Sequence, residues 1–211
     1  MINTKKRILE AAAKEFALKG YNGATVRDIC NSAGVNIASV NYHFKSKEAL
    51  YEEMFAFLFC ETEKENFLEK KWDGTLSQWR EMLRKWIESI ILDIIKKNPL
   101  NEAKWKIFGW EIQEPSTIFK NIYENFLKPR LSTLALHFRK VLPLETSDDE
   151  VYLRVFSVVA MCVFYFRDRE LINLVFPQRD FISEKMEQII ENITNSACIG
   201  ISLKDKESIK A

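Results

Sequence analysis

Between Thr25 and Lys47 the chain gathers residue types suited to hydrogen bonding with nucleic acid. An apolar series, Val26, Ile29, Cys30, Val35, Val40 and Phe44, recurs at helical spacing and is expected to turn inward. That leaves Ala38, Ser39, Asn41, Tyr42 and Lys45 on the opposite face of a short helix. Such a face is small and polar, and it suits a major groove about 12 Å wide. Asn41 can pair bidentately with adenine, Ser39 suits either base type, and Ala38 can touch a thymine methyl. Thr25, Arg27, Tyr42 and His43 lie where they could hold phosphates. Lys47 falls in the first turn of the next helix, where a cation opposes the helix dipole. A phosphate bound at that helix N-terminus would account for it, and so would a solvated lysine that costs little.

These residues need helices to position them. A first helix from about Asn3 to Lys19 carries the stripe Ile8, Leu9, Ala12, Ala13 and Phe16, and Gly20 stops it. Thr25 and Asp28 have the spacing of a capping box, which opens a second helix. Gly34 permits the left-handed turn that ends it. Asn36 can cap a third helix with Ile37, Val40 and Phe44 on its core face, and Ser46 caps a fourth. The segment 25–44 therefore has helix-turn-helix spacing. Further helices are expected over 47–70, 76–97, 101–113, 117–141, 149–170 and 180–202. Asp73-Gly74-Thr75 with Gln78, and Ser147 with Glu150, open two of them. Pro99, Pro115, Pro143 and Pro177 fall between helices, and the residues after about 203 form a frayed tail. The expectation is an all-α fold of about nine helices, with a helix-turn-helix domain over 1–48 and a larger helical body over 49–211.

Composition agrees. The 211 residues include 6 Gly and 5 Pro, too few for the turns of a sandwich or barrel. With 47% hydrophobic and 29% charged residues, the chain can bury a core and is not a disordered type. Residues 1–50 hold eight Lys/Arg against four Asp/Glu, a balance of +4, while the remainder carries −3. A basic first quarter on a slightly acidic body suits an anion-binding head. Cysteines 30, 60, 162 and 198 form no CxxC pair, and neither histidine stands at metal-ligand spacing from them. No disulfide scaffold, metal or cofactor is expected, and free thiols fit a reducing cytosol. The N-terminus lacks an apolar signal region, and the nearly apolar run Val155–Phe166 is too short to span a bilayer. The expected location is the cytoplasm, without membrane contact.

The stretch RILEAAAKEFALKGYNGATVRDICNSAGVNIASVNYHFKSKEALY, residues 7–51, resembles the DNA-binding domain of TetR-family transcriptional regulators. The resemblance is nearly continuous over this segment. It implies an all-helical homodimer with three DNA-binding helices and a C-terminal domain that dimerises and takes a ligand. Members of the family are usually repressors of double-stranded DNA operators, released by a small molecule. Position by position, Thr25 and Arg27 correspond to phosphate contacts of the second helix, and Tyr42, His43 and Lys47 to those of the YHFxSK stretch. Asn36, Ile37, Ala38, Ser39 and Asn41 fall on the specificity positions. Ile37 is apolar where many members place a polar residue. It is either core or a sign that few bases are read by hydrogen bonding. VNYHFKSKEALY and FGWEIQEPSTIF (108–119) are similar to the CecR-like branch, which is associated with responses to toxic compounds and antibiotics.

Aromatic residues are frequent beyond the head. Trp79, Trp86, Trp105, Phe108 and Tyr123, with the carboxylates Glu111 and Glu114, are candidates to line an apolar pocket for a small-molecule effector. Core packing is the competing reading of the aromatics, and solvation that of the carboxylates. Residues 151–166 are apolar nearly all round, so this helix should be buried on both sides. Val155, Val159, Val163 and Phe166, with Met186 and Ile190 of the helix at 180–202, are the expected dimer interface. None of GxGxxG, GxxxxGK[ST], GxSxG or HExxH occurs, and His137 stands alone, so an enzyme is not expected. The alternative function is a small-molecule-binding helical dimer without specific DNA binding.

Overall fold

The computed structural model describes residues 4–60 and 71–201, and among them every regular element is helical. The order is α1 (Thr4–Gly23), α2 (Val26–Ala33), α3 (Ile37–Phe44), α4 (Lys47–Cys60), α5 (Leu76–Ile95), α6 (Pro99–Gln113) and α7 (Phe119–Ile122). A π-helical turn, Tyr123–Leu127, leads into α8 (Lys128–Arg139). Then follow α9 (Asp148–Arg167), α10 (Arg169–Val175), α11 (Phe181–Glu184) and α12 (Met186–Cys198). The all-α expectation holds. The helix expected over 47–70 is described as far as Cys60, and its remainder lies outside the described residues. The three expected later helices are each subdivided, because the backbone departs from α geometry inside them.

Local chemistry sets the boundaries. Both capping boxes form: Thr25 with Asp28, and Ser147 with Glu150. Pro99 does not separate helices, as expected from sequence, but is the first residue of α6. Asn98 caps it, accepting from the Asn101 backbone N–H at 2.8 Å, and proline's missing N–H costs nothing there. Gly20 breaks the helical geometry of α1 as expected, with φ 67° and ψ 175°, and one further turn follows it to Gly23.

The helices pack as two compact units. One comprises α1–α4 with α6, α7 and the π-helical turn. Its core is built from Ile8, Phe16, Ile29, Val40, Phe44, Leu50, Met54 and Phe55 among others. The other comprises α5 and the body of α8 to α12. In it α5, α9 and α12 pack on one another, burying Leu83, Ile87, Ile91, Val155, Val158, Ile190 and Ile193. Arg80 and Arg84 of α5 pair with Glu191 and Glu187 of α12. Among the described residues no helix is long and apolar enough to cross a membrane.

Candidate nucleic-acid interface

Local hydrogen bonds fix the helix-turn-helix. The Thr25 hydroxyl accepts from the Asp28 backbone N–H at 3.1 Å, and the Asp28 carboxylate accepts from the Thr25 N–H at 3.3 Å. Lys19 pairs with the same carboxylate at 3.1 Å and with Glu15 at 2.9 Å. The Thr25 hydroxyl, then Lys19, hold Asp28 below its ordinary carboxylate range. Gly34 takes a left-handed conformation, φ 62° and ψ 43°, as the turn demands. Arg7 of α1 donates to the Ala33 carbonyl at 2.6 Å, so the first helix clamps the turn.

Asn36 caps α3, and its side-chain oxygen accepts from both the backbone N–H and the hydroxyl of Ser39, each at 2.9 Å. Val40 and Phe44 are buried, while Ile29 and Cys30 bury the facing side of α2. The outward face presents Ile37, Ala38, Asn41 and Tyr42, with Tyr42 82% exposed. His43 is half-buried and its ring lies 5.1 Å from that of Tyr42. Thr25 and Arg27 are exposed at the start of α2.

Ile37 is not on the core face, being 56% exposed. Helical side chains lean toward the N-terminus, so the first residue of α3 projects past the end of the packed stripe.

The junction after α3 is tight. Lys45 has φ 61° and ψ −39°, and the Ser46 N–H donates to the Phe44 carbonyl at 2.7 Å. This is a γ-turn of the rare, strained kind. Ser46 then caps α4, accepting from the Ala49 N–H at 3.1 Å. The Lys47 ammonium lies 4.5 Å from the centre of the Tyr21 ring, and the Tyr21 hydroxyl donates to Glu48 at 3.0 Å. This cation–π contact holds Lys47 in a position the helix dipole disfavours. Partial burial pushes Lys47 down, and burial with Glu48 pushes Tyr21 up to about 12.

Behind the head, α6 joins the same unit. The Tyr51 hydroxyl donates to Glu111 at 2.7 Å, and the Ser116 N–H and hydroxyl donate to its other oxygen at 3.2 and 3.1 Å. Trp110 donates to the Ala17 carbonyl at 3.2 Å, and its ring covers Gly20, where a Cβ would lie 3.7 Å away. Glu111 and Glu114 do not act as a pair: Glu111 is buried against Tyr51 and Ser116, and Glu114 is exposed as the C-cap of α6. Trp105 is buried and meets the half-buried Phe108 edge-on, while Tyr123 is exposed in the π-helical turn.

Trp79 and Trp86 belong to the other unit. Trp79 and His137 stack with ring centres 5.0 Å apart and 7° between planes. Trp79 donates to the His137 carbonyl at 2.8 Å, and His137 Nε2 donates to the Trp79 carbonyl at 3.0 Å. Burial pushes His137 down to about 4. It is a neutral core residue. Trp86 is half-buried. Val155 and Ile190 lie wholly inside the protomer, while Val159, Val163, Phe166 and Met186 are half-buried. The outward stripe of α9 is instead Leu153, Phe156, Ala160 and Phe164. Sequence reasoning missed the roles of Arg7, Tyr21, Tyr51 and Trp110, and that of Lys45, which it placed on the outward face without its turn. Their roles depend on contacts with distant parts of the chain or, for Lys45, on a turn its residue type does not encode.

A capped helix pair with an exposed polar second helix defines the class: a helix-turn-helix DNA-binding regulator. Residues 8–54 match the family of bacterial regulatory proteins, tetR family. Residues 79–201 match the C-terminal domain of the HTH-type transcriptional dual regulator CecR. The chain is 24% identical to the CecR dual regulator of Shigella flexneri over 90% of its length and 87% of that protein's. Over 49 residues, 23% of this chain and 26% of the relative, it is 43% identical to IcaR, a negative transcriptional regulator of a biofilm operon in Staphylococcus aureus. The solved structure of the hemolysin II transcriptional regulator HlyIIR is 23% identical and aligns with a TM-score of 0.63, covering 90% of this chain and 97% of that one. The chain belongs to the TetR family of transcriptional regulators, with a CecR-type C-terminal domain. Regulators of this family bind DNA and function as dimers.

Proposed function

We propose that the protein is a repressor that binds a palindromic operator as a homodimer and is released by a small hydrophobic or drug-like molecule. The observation that carries the reading is the face of α3, exposed along its length and anchored at both ends by caps and by Arg7. Two such helices would enter adjacent major grooves about 34–36 Å apart. Asn41 reads an adenine edge, and Thr25, Arg27, Tyr42, His43 and Lys47 hold phosphates. Asn36 and Ser39 chiefly hold α3 in register, since they bond each other. On this reading residues 1–48 are the DNA-binding domain and 49–211 the effector and dimerisation domain.

The partner protomer covers Leu153, Phe156, Ala160 and Phe164, an apolar stripe at i, i+3, i+7 and i+11 of α9. Val159, Val163, Phe166 and Met186 flank the contact. Effector contacts fall to the half-buried and exposed aromatics of the first unit, Phe108 and Tyr123. The repressor sign is supported by the negative regulator from Staphylococcus aureus. An effector acts only through a higher affinity for the state that binds DNA poorly, and each 1.4 kcal/mol of that coupling weakens operator binding about tenfold.

The test is retention of fragmented genomic DNA from the source organism near physiological salt, followed by sequencing. Enrichment of a short palindrome is expected. Uniform retention that is lost with added salt and carries no motif would contradict the proposal.

A further inference from the structure

Ile37 is a large apolar side chain, 56% exposed, at the start of a helix whose exposed face is otherwise small or polar. It follows a residue that cannot easily read bases. The Asn36 oxygen already accepts from the Ser39 N–H and hydroxyl, so the cap occupies the side-chain acceptor and the Ser39 donor at this end of α3. What remains outward on the first turn is Ile37 with its neighbour Ala38. Helical side chains lean toward the N-terminus, so both project past the start of α3. In a helix-turn-helix that end of the second helix meets the base edges. The major groove offers one apolar group, the C5-methyl of thymine.

We propose that Ile37, seconded by Ala38, is a specificity residue that reads thymine methyl groups. Each half-site then carries one or two adjacent T·A pairs selected by contact rather than by hydrogen bonding. Asn41 lies four residues along α3, about 6 Å, and reads a base about two pairs away. The inference rests on the reading of α3 as the DNA-reading helix.

The experiment uses the full-length protein and the site it retains from genomic DNA. Each thymine of one half-site is replaced in turn by deoxyuridine, which removes only the methyl. Wild-type protein is expected to lose about fourfold in affinity at one or two positions, the effect of one buried methyl group. At those positions 5-methylcytosine opposite guanine should bind better than unmethylated cytosine. Ile37→Ser should lose the uracil sensitivity at the position where it is largest, keeping at most a weaker one next to it through Ala38, and Asn41→Ala should keep the uracil sensitivity while losing its own base preference. If wild type tolerates uracil everywhere while Asn41→Ala relaxes one base pair, the inference fails and the α3 reading stands. If Ile37→Ser keeps the full uracil sensitivity at every position, another residue reads the methyl and the assignment fails. If no site is retained, or both variants bind every site as wild type does, the underlying reading of α3 fails as well.

Discussion

Asn41 and Tyr42 of α3 and the Trp79–His137 pair of α5 and α8 carry comparable chemistry, yet the fold treats them in opposite ways. Asn41 and Tyr42 are held outward, on a helix whose buried side is spent on Val40 and Phe44. Trp79 and His137 close on each other, each donating to the other's carbonyl. Tyr51, Glu111 and Ser116 are likewise turned inward and bonded to one another, while His137 Nδ1 is buried without a hydrogen-bond partner. A polar or aromatic side chain closed inside a core is out of a ligand's reach, and most of its hydrogen bonds are already made. One held rigidly in solvent has all of its hydrogen-bonding capacity available.

This contrast can be broken most strongly at Trp79. Trp79→Ala should cost about 3–5 kcal/mol, by leaving a cavity and removing one of the two hydrogen bonds to the His137 carbonyl. Urea unfolding would show it. A variant that unfolds like wild type but loses effector binding would instead return Trp79 to a ligand pocket. Acid sharpens the same point. Burial lowers His137 from 6.5 to about 4, so the unfolded chain takes up the proton first. The stability this group contributes is fully present above about pH 6.5 and falls as pH drops toward 4, by up to about 3 kcal/mol. His137→Gln should lack that component in denaturant midpoints measured across this range. The smallest effect lies in the head. Lys45 pays for a positive φ, so Lys45→Gly should raise stability by up to about 1 kcal/mol in thermal unfolding. No gain would mean that the turn after α3 is unstrained.

The head was largely legible because its signals are local. Thr25 with Asp28, Gly34 and Asn36 act within a few residues of themselves, and their spacing gives the caps and the turn directly. Ile37 was ambiguous because i+3 spacing to Val40 is compatible with burial, and only its place at the helix start turns it outward. The body was legible in class but not in role. Its α9 is apolar nearly all round, so periodicity could not say that Val155 faces inward and Phe156 outward. Glu111 and Glu114 share a spacing that suggests a pair, but Tyr51 stands 60 positions from Glu111 and draws it into the core. Such long-range partners leave no local pattern. The π-helical turn at Tyr123–Leu127 was also missed, since it arises inside a continuous helical pattern, whereas the break at Gly20 was legible and only the further turn after it was not.

DNA reading by the outward face of α3 makes the phosphate and base contacts separable by salt. The most direct measurement is a salt titration of operator binding for wild type, Lys47→Ala and Asn41→Ala, on the selected site and on single-base variants of it. Lys47→Ala should weaken binding to all sites alike and lower the salt slope by about one. Asn41→Ala should keep the slope, lose roughly 1–3 kcal/mol on the selected site and relax preference at one base pair. Wild-type behaviour of both variants on every site would contradict the account.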